Sequence, residues 1–331
     1  MQAWNDFLAR QTPKAIDSDN AICALDQTSL LYVGGDDASD FLQNQLSNDI
    51  SKIDETRSQL SSMSNAKGRM LAIFQIIRID GGYILVMPRD LITDIAQALQ
   101  KFILMSKVVL ADISDSFARI GVTTTQHEIT QADDLPDEVN HVYQSDSLIS
   151  LSLPAAAGRS RYLLLSNDAD EAIALWQKLS QKLAVNDELD WRLQQIDAGI
   201  PTIYAATSGA FVLQMSNLHK LDGVSFKKGC YPGQEVVARM QYLGKLKRRM
   251  YLAQIETSHC PQPGDELCTK GFTTADSSGK VVDAVILDDR HCHLLFIAQI
   301  AKAEAAELSL CDQPEAALSL LPLPYAFDEE S

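Results

Sequence analysis

The sequence contains little positive charge and no long apolar run. Its 331 residues include 28 lysines and arginines against 44 aspartates and glutamates, a net charge of −16. This charge opposes non-specific binding to nucleic acid, so contact with an anion needs a local basic patch. No apolar run approaches the roughly 18 residues of a membrane-spanning helix, and MQAWNDFLARQTPK at the start lacks the apolar segment of a signal peptide. We therefore expect a cytoplasmic protein that does not associate with a membrane.

Cysteine is scarce and scattered. The six cysteines contain no CxxC pair, which argues against a zinc ribbon, and a cytosolic chain would keep all six reduced. One alternative stays open, a metal site built from His259, Cys260, Cys268, His291, Cys292 and His293.

The length and the residue patterns favour several α+β modules. A chain of 331 residues suits two or three packed modules, and 46% hydrophobic and 22% charged residues are typical of a globular protein. Apolar runs predict strands over residues 29–33 and 71–79, with a helix over 38–46. A pattern of strand, polar break and helix occurs twice, over residues 83–102 and 162–183, and each break offers an N-cap.

Two other stretches of the chain have a different character. Residues 126–147 are polar and acidic and predict an irregular connection. Beyond residue 252, apolar runs at 281–287 and 292–298 alternate with turn-like segments at 263–265 and 277–279, a pattern typical of a small β-barrel or sandwich. The acidic tail, residues 322–331, is expected to be mobile. We predict an α+β protein of three modules, with bounds 1–115, 116–250 and 251–331.

Positive charge is concentrated between residues 227 and 249. Glu235 is the only acidic residue there, and the cations are Lys227, Lys228, Arg239, Lys245, Lys247, Arg248 and Arg249. Such a run is either a solvated face or an anion-binding patch, which leaves direct tRNA binding as an alternative that the net charge disfavours.

A cysteine stands inside this basic run, in Lys228-Gly229-Cys230-Tyr231-Pro232-Gly233-Gln234-Glu235. Glycine permits backbone conformations that are closed to other residues, and Pro232-Gly233 predicts a tight turn. Neighbouring lysines favour the thiolate, the form that attacks electrophiles or binds metal. The alternative is a buried structural cysteine, but the polar, glycine-rich setting favours a functional thiol at Cys230.

These residues resemble a known family. Lys228 to Glu235, followed by Ala238-Arg239, is similar to the KGCYxGQE…AR signature of the YgfZ family, which is related to the T-protein (aminomethyltransferase) of glycine cleavage. Weaker similarities cover most of the chain and include Trp191 and the segments 41–49, 65–69, 196–201, 216–218, 223–226, 242–245 and 247–249.

The resemblance implies a ring of three modules, two of them α+β and the last a β-barrel, around a channel for tetrahydrofolate or a derivative. It implies an accessory protein that supports assembly or repair of iron–sulfur clusters in client enzymes, and we expect a monomer. A tRNA-methylthiolating enzyme is one such client, so the link to tRNA modification is indirect.

The same resemblance implies the site residues. Cys230 matches the signature thiol, Lys228 and Arg239 match its cations, and Tyr231, Gln234 and Glu235 would shape the loop. Trp191 matches a tryptophan associated with folate, where core packing is the alternative, and the place of a second family tryptophan is Thr28. Cations suit the glutamate carboxylates of folate, and an aromatic ring suits the pterin.

Whether the protein is an enzyme stays open, and the sequence favours a non-enzymatic role. The T-protein uses an aspartate after the glycine turn of its first module, and the corresponding run, Gly68-Arg69-Met70-Leu71-Ala72-Ile73, has no carboxylate. We therefore disfavour aminomethyl transfer. A folate-dependent one-carbon transferase with Cys230 as nucleophile is the alternative function.

Overall fold

The computed structural model describes residues 1–13, 20–126, 129, 135–156, 158–242, 244, 246–257, 259–269, 277–316 and 318–327. Within them the helices are α1 Gln2–Leu8, α2 Ala38–Gln45, α3 Ile92–Ile103, α4 Ala169–Leu179, α5 Glu188–Asp197, α6 Gln234–Tyr242 and α7 Ile300–Glu304. The strands are β1 Ala21–Ala24, β2 Thr28–Gly34, β3 Gln59–Ser64, β4 Met70–Ile79, β5 Gly82–Pro88, β6 Val109–Asp112, β7 Ala118–Thr124, β8 Val142–Gln144, β9 Leu148–Leu153, β10 Ser160–Ser166, β11 Ala184–Val185, β12 Arg248–Glu256, β13 Glu266–Thr269, β14 Ser277–Ile286, β15 His291–Gln299, β16 Leu308–Leu310 and β17 Leu318–Leu321.

The first sheet has the strand order β3-β4-β5-β2-β6. β4 and β5 form an antiparallel hairpin, and Gly81 takes the positive φ of +76° that the turn needs. α3 buries Ile92, Ile95, Leu99 and Ile103, the spacing of one helix face. The strands and helices predicted here from periodicity are therefore confirmed.

The second sheet has the order β11-β1-β7-β10-β9-β8, so β1 joins strands from much later in the chain. The polar break at Asp168 is an N-cap, because its carboxylate accepts hydrogen bonds from the N–H groups of Asp170 and Glu171 at 2.9 and 3.0 Å. The earlier break forms a 3₁₀ turn, Arg89–Leu91, whose N-cap makes no side-chain hydrogen bond.

The connection predicted over residues 126–147 holds a strand, β8, which pairs with β9. The period-2 signal of three residues is too short to read from the sequence. Residues 127, 128 and 130–134 of that segment lie outside the described residues.

The third sheet, β16-β13-β14-β15-β12-β17, curls into a half-barrel and bears out the β-rich C-terminal prediction. Residues 277–279, predicted as a turn, instead begin β14. A Cβ on Gly279 would lie 2.6 Å from the Ile297 carbonyl oxygen, so this glycine permits close strand packing.

The tail is anchored as far as the structure describes it. β17, the strand just before the tail, pairs with β12, and the hydroxyl of half-buried Tyr325 donates to the Gly199 carbonyl at 2.9 Å and accepts from Asn217 Nδ2 at 3.3 Å. The acidic tail contains two aromatic residues, Tyr325 and Phe327, whose side chains can pack against the protein. The expectation of mobility did not take them into account. Residues 328–331 lie outside the described residues.

The chain divides into two compact units. The first comprises Met1–Gln45, Asp49–Ser61 and Phe74–Gln194, and the second Leu46–Asn48, Ser62–Ile73 and Gln195–Ser331. The three sheets correspond broadly to the three predicted modules, although β1 joins the second sheet and the boundary at residue 250 falls inside β12; those bounds stay a prediction. No helix among the described residues is both long and apolar enough to cross a membrane.

Candidate functional site at two glycine turns

The basic signature segment is a loop that leads into α6. A turn at Pro232-Gly233 precedes the helix, and the Gln234 N–H donates to the Tyr231 carbonyl at 3.2 Å. The Gln234 side chain also donates to the Gly229 carbonyl at 3.4 Å and so closes the loop on itself. Cys230 stands on this closed loop with its side chain exposed.

A second glycine turn joins β3 to β4. The Asn65 side-chain oxygen accepts from the N–H groups of Lys67 and Arg69 at 2.9 and 3.1 Å, which is the geometry of an Asx turn. Gly68 has a φ of +69°, a conformation that favours glycine. Lys67 and Arg69, on either side of it, are at the surface, Lys67 exposed and Arg69 bonded through its guanidinium to the Ala210 carbonyl.

The two turns touch through their backbones. A Cβ on Gly233 (φ +82°) would lie 2.6 Å from the Gly68 Cα and 2.7 Å from the Asn65 carbonyl oxygen. A Cβ on Gly68 would lie 2.8 Å from the Cβ of Val236 on α6. Neither glycine has room for a side chain, because the two backbones lie so close together. This close contact holds the Cys230 loop against the Lys67–Arg69 turn. Both segments were predicted from the sequence, but their contact was not, and the two glycines were the only signal for it.

The ammonium group of Lys228 is turned into the protein. It donates to the backbone carbonyls of Leu46 and Asn48, each at 2.7 Å, and lies 5.4 Å from the Tyr231 ring centroid. A further hydrogen bond fixes residues 46–48: the Ser47 hydroxyl donates to the Gly223 carbonyl at 2.8 Å. These contacts give Lys228 a structural task, and its predicted contact with folate stays a prediction.

The other signature residues divide into buried and exposed. Tyr231 is buried, and burial raises the pKa of its hydroxyl to about 12, so the phenol stays protonated. Glu235 and Arg239 are exposed on α6, which is held by a hydrogen bond from Gln214 Nε2 to the Val237 carbonyl at 2.6 Å. Arg239 is therefore available to an anion.

Two further candidates, Trp191 and Thr28, belong to the first unit. Trp191 is 7% exposed, with the Arg161 guanidinium 4.2 Å from its ring centroid. A Cβ on Gly121 would lie 2.7 Å from the ring, so that residue also covers it. Burial lowers the pKa of Arg161 to about 9. In this packing Trp191 is part of the core, and its predicted stacking on a pterin stays a prediction.

Glu188 lies beside these two residues and was missed by sequence analysis. It accepts the N–H of Gln27, the neighbour of Thr28, at 2.8 Å, and it stands one turn before Trp191 on α5. Burial raises the pKa of this carboxyl to about 7. An acidic residue in the first turn of a helix is too common for the sequence to single out.

The basic run does not form one open face. Arg249 pairs with Glu304 at 3.0 Å and lies over the rings of Tyr251 and Phe327 at 4.9 and 4.5 Å. Lys228 is likewise engaged, whereas Lys227 and Arg239 stand closer to solvent. Lys245 lies outside the described residues.

Several of the residues proposed for the alternative metal site make other contacts. Cys268 and Cys311 form a disulfide, so the expectation of six reduced cysteines does not hold for this pair. His293 Nδ1 lies 2.7 Å from an Asp197 carboxylate oxygen, and His291 Nδ1 lies 2.9 Å from Asp288. In the described part of the chain, no group of three or more His, Cys, Asp or Glu side chains is placed to hold a metal ion.

The fold matches that of a known crystal structure. The structure resembles the crystal structure of the glycine cleavage system aminomethyltransferase T from Bartonella henselae, with a TM-score of 0.71 over 97% of this chain and 89% of that one, at 15% identity. The chain therefore has the T-protein fold.

The particular family follows from the sequence comparisons. The chain is 30% identical over 332 residues to the tRNA-modifying protein YgfZ of Klebsiella pneumoniae, covering 99% of both proteins. It is 32% identical over 314 residues to that of Yersinia pseudotuberculosis, covering 93% of both. No protein-family profile matches the chain. The chain belongs to the YgfZ family of tRNA-modifying proteins.

Proposed function

We propose that this protein is a cytoplasmic, folate-binding accessory protein for the assembly or repair of iron–sulfur clusters in client enzymes. Its effect on tRNA modification then passes through a client such as a tRNA-methylthiolating enzyme. The observation that carries the proposal is the exposed thiol of Cys230, held on a loop that two glycine turns fix in place. Membership of a tRNA-modifying family supports the final readout.

Cys230 suits a role at a cluster that is in transit. Iron–sulfur clusters are held by several cysteine thiolates, and within this loop Cys230 is the only thiol. One exposed thiol can contribute a ligand, or protect a cluster, only together with the client's own cysteines. In this proposal the cluster is cargo, and the protein returns to its starting state after delivery.

The residues present fit one end of a folate. Exposed Arg239 on α6 and exposed Lys67 beside Gly68 have the charge that glutamate carboxylates need. Within the first unit, Arg161 and Gly121 cover the Trp191 ring, so pterin stacking on that ring would require a rearrangement. We therefore assign the carboxylate end to the second unit and leave the pterin end to experiment.

Aminomethyl transfer lacks support in the site. β4 follows Gly68 directly, and residues 69–73 contain no carboxylate to handle a substrate amine. A one-carbon transferase that uses Cys230 as nucleophile is the second candidate, favoured by the same exposed thiol. Turnover of a one-carbon folate that Cys230→Ser abolishes would identify it.

Complementation tests the proposal. A bacterial strain without its own YgfZ-type protein would carry the wild type, Cys230→Ala, or Cys260→Ala as a matched cysteine control. Methylthiolated adenosine is measured in total tRNA by mass spectrometry. We expect the wild type and Cys260→Ala to restore the modification and Cys230→Ala to leave it absent.

The other outcomes separate the parts of the proposal. If Cys230→Ala also restores methylthiolated adenosine, the maturation role stands but does not require the Cys230 thiol. Failure of the wild-type protein, expressed and folded, would overturn the proposed role for this chain. Titration of the purified protein with tetrahydrofolate, compared with Arg239→Ala, tests the folate part separately.

A further inference from the structure

One pair of cysteines in the C-terminal half-barrel forms a disulfide. Cys268 on β13 is joined to Cys311, which directly follows β16, and their Cα atoms lie 5.0 Å apart. Cys268 is buried, whereas Cys311 is half-buried. Disulfides in a reducing cytoplasm, the location proposed above, are usually transient or redox-sensing. A disulfide in this sheet therefore needs an explanation.

The backbone holds these two cysteines together whether or not their sulfur atoms are joined. β13 and β16 are antiparallel neighbours, with Cys268 opposite Ser309. The Cys311 N–H donates to the carbonyl of Glu266, the first residue of β13, at 2.9 Å. None of these contacts involves a sulfur atom, so they can persist when the disulfide is open.

A cluster of side chains fixes the same strands. Lys302 on α7 donates to Thr269 Oγ1 at 2.6 Å and to Ser278 Oγ at 2.8 Å, and these two hydroxyls lie 2.9 Å apart. Thr269 follows Cys268 on β13, and α7 precedes β16 in the chain. The ammonium group therefore ties β13 to the segment that continues into β16 and Cys311.

We propose that Cys268 and Cys311 form a reversible redox-modification site, which a low-molecular-weight thiol opens and the corresponding small disulfide closes. The strand pairing and the Lys302 cluster keep the two thiols close after the bond is cut. Thiols held close together re-form a disulfide far more readily than separate ones, because the second step is then intramolecular. The function proposed for Cys230 does not depend on this pair.

The opening reaction has two balanced steps. A small thiolate attacks the Cys311 sulfur, forms a mixed disulfide and releases the Cys268 thiolate, which takes up a proton. A second small thiolate attacks the small-molecule sulfur of the mixed disulfide, and the Cys311 thiolate leaves and is protonated. Two electrons pass from the two small thiols to the protein, and the small thiols leave joined as one disulfide. Closing is the reverse of these steps.

Burial decides which sulfur is attacked. Thiol–disulfide exchange requires access to the attacked sulfur atom. Cys268 is 1% exposed, whereas Cys311 is half-buried and is followed by the exposed Asp312. The mixed disulfide therefore forms on Cys311, and Cys268 resolves it when the bond closes.

A redox titration of the full-length protein tests the proposal. Samples that start fully reduced or fully oxidised are equilibrated with mixtures of reduced and oxidised glutathione, quenched with acid and alkylated. Their peptides are then identified by mass spectrometry without reduction. We expect the Cys268–Cys311 cross-link to disappear as the share of reduced glutathione rises, along the same curve from both starting points. Circular dichroism should show that both forms are folded.

Two variants test the order of attack, and a third is the control. With oxidised glutathione, Cys268→Ser should retain glutathione on Cys311, whereas Cys311→Ser should leave the buried Cys268 unmodified. Cys260→Ser replaces another half-buried cysteine of the same half-barrel and should give the wild-type titration curve. Exposed Cys230 should carry glutathione in every sample and so marks a successful reaction.

Four results would overturn the proposal. A cross-link that persists in excess reduced glutathione would show a permanent structural bond, and a pair that stays open in excess oxidised glutathione would show that no such site exists. A reduced form that is unfolded would show that the bond itself holds the strands together. Glutathione on Cys268 instead of Cys311 would contradict the order of attack. The first three results come from the wild type, so they do not depend on the folding of a variant.

Discussion

At the scale of single residues, neighbours in the signature have opposite surroundings. Cys230 is exposed, whereas Lys228, two positions earlier, donates to two backbone carbonyls. From the sequence alone, a charged side chain so close to a functional thiol suggests an electrostatic role. The contacts instead show that Lys228 fastens the loop to residues 46–48, and this distinction can be measured.

We expect Lys228→Met to destabilise the second unit by about 2 kcal/mol, because it removes charge-assisted hydrogen bonds to the Leu46 and Asn48 carbonyls. Lys227→Met, at the neighbouring position, is the matched control and should change the free energy of unfolding by less than about 0.5 kcal/mol. Urea denaturation measures both. Equal losses would show that the two carbonyl contacts contribute nothing specific.

Glu188 predicts a pH dependence of stability. Its carboxyl has a pKa of about 7 in the folded protein, raised by burial, so the folded state binds this proton more tightly than the unfolded state does. The associated stability is complete below the ordinary carboxyl pKa and is lost as the pH rises through about 7. Glu188→Gln keeps an acceptor for the Gln27 N–H and should remove this loss.

The measurement is the free energy of unfolding of wild type and Glu188→Gln across that pH range. The variant should gain stability relative to the wild type as the pH rises. A constant difference between wild type and Glu188→Gln would mean that burial does not perturb Glu188.

At the scale of elements, the site depends on two turns that meet. The β3–β4 turn and the turn before α6 lie far apart in the sequence, yet Gly68 and Gly233 leave no space between them. Each turn is fixed locally, by Asn65 in one case and by Pro232-Gly233 in the other. Their contact places the Cys230 loop.

Alanine at Gly233 should therefore cost more than the left-handed strain alone. Gly209 has a similar φ of +75°, but a Cβ added there would meet nothing within 4 Å, so Gly209→Ala isolates the strain, about 1 kcal/mol. Gly233→Ala adds a clash with Gly68 and Asn65, for which we expect roughly 1–3 kcal/mol more. The free energies of unfolding of the two variants decide this.

The same pair of variants tests function. Gly233→Ala should lower methylthiolation in the complementing strain even at a temperature at which it stays folded, whereas Gly209→Ala should not. Equal stabilities and equal complementation would show that the close approach of the two turns is unimportant.

At the scale of the whole molecule, charge separates an accessory role from direct RNA binding. The net charge is −16, and Lys228 and Arg249 of the basic run are engaged in internal contacts. We expect no tight binding of a tRNA transcript at physiological salt. Filter binding across a salt series measures this, and a steep fall in affinity with rising salt would instead support a phosphate-binding surface.

The alternation of apolar residues determined most of the elements, because helix and strand periods are local properties of the chain. The predictions over residues 29–33, 71–79 and 292–298 each match a strand. The predictions that failed depend on distant partners. The local sequence of residues 277–279 predicts a turn, but these residues form a strand in which Gly279 packs against Ile297. The tail was predicted to be mobile, but the Tyr325 hydroxyl donates a hydrogen bond to the Gly199 carbonyl.

The sequence by itself determined the family, the α+β class and the candidate residues, since a specific octapeptide and local periodicity are written along the chain. Only the tertiary structure decided what each candidate does within its unit: it exposes Cys230, engages Lys228, covers Trp191 and joins Cys268 to Cys311. The physical reason is that burial, close approach and hydrogen bonding depend on residues brought together from distant positions, which no local pattern records.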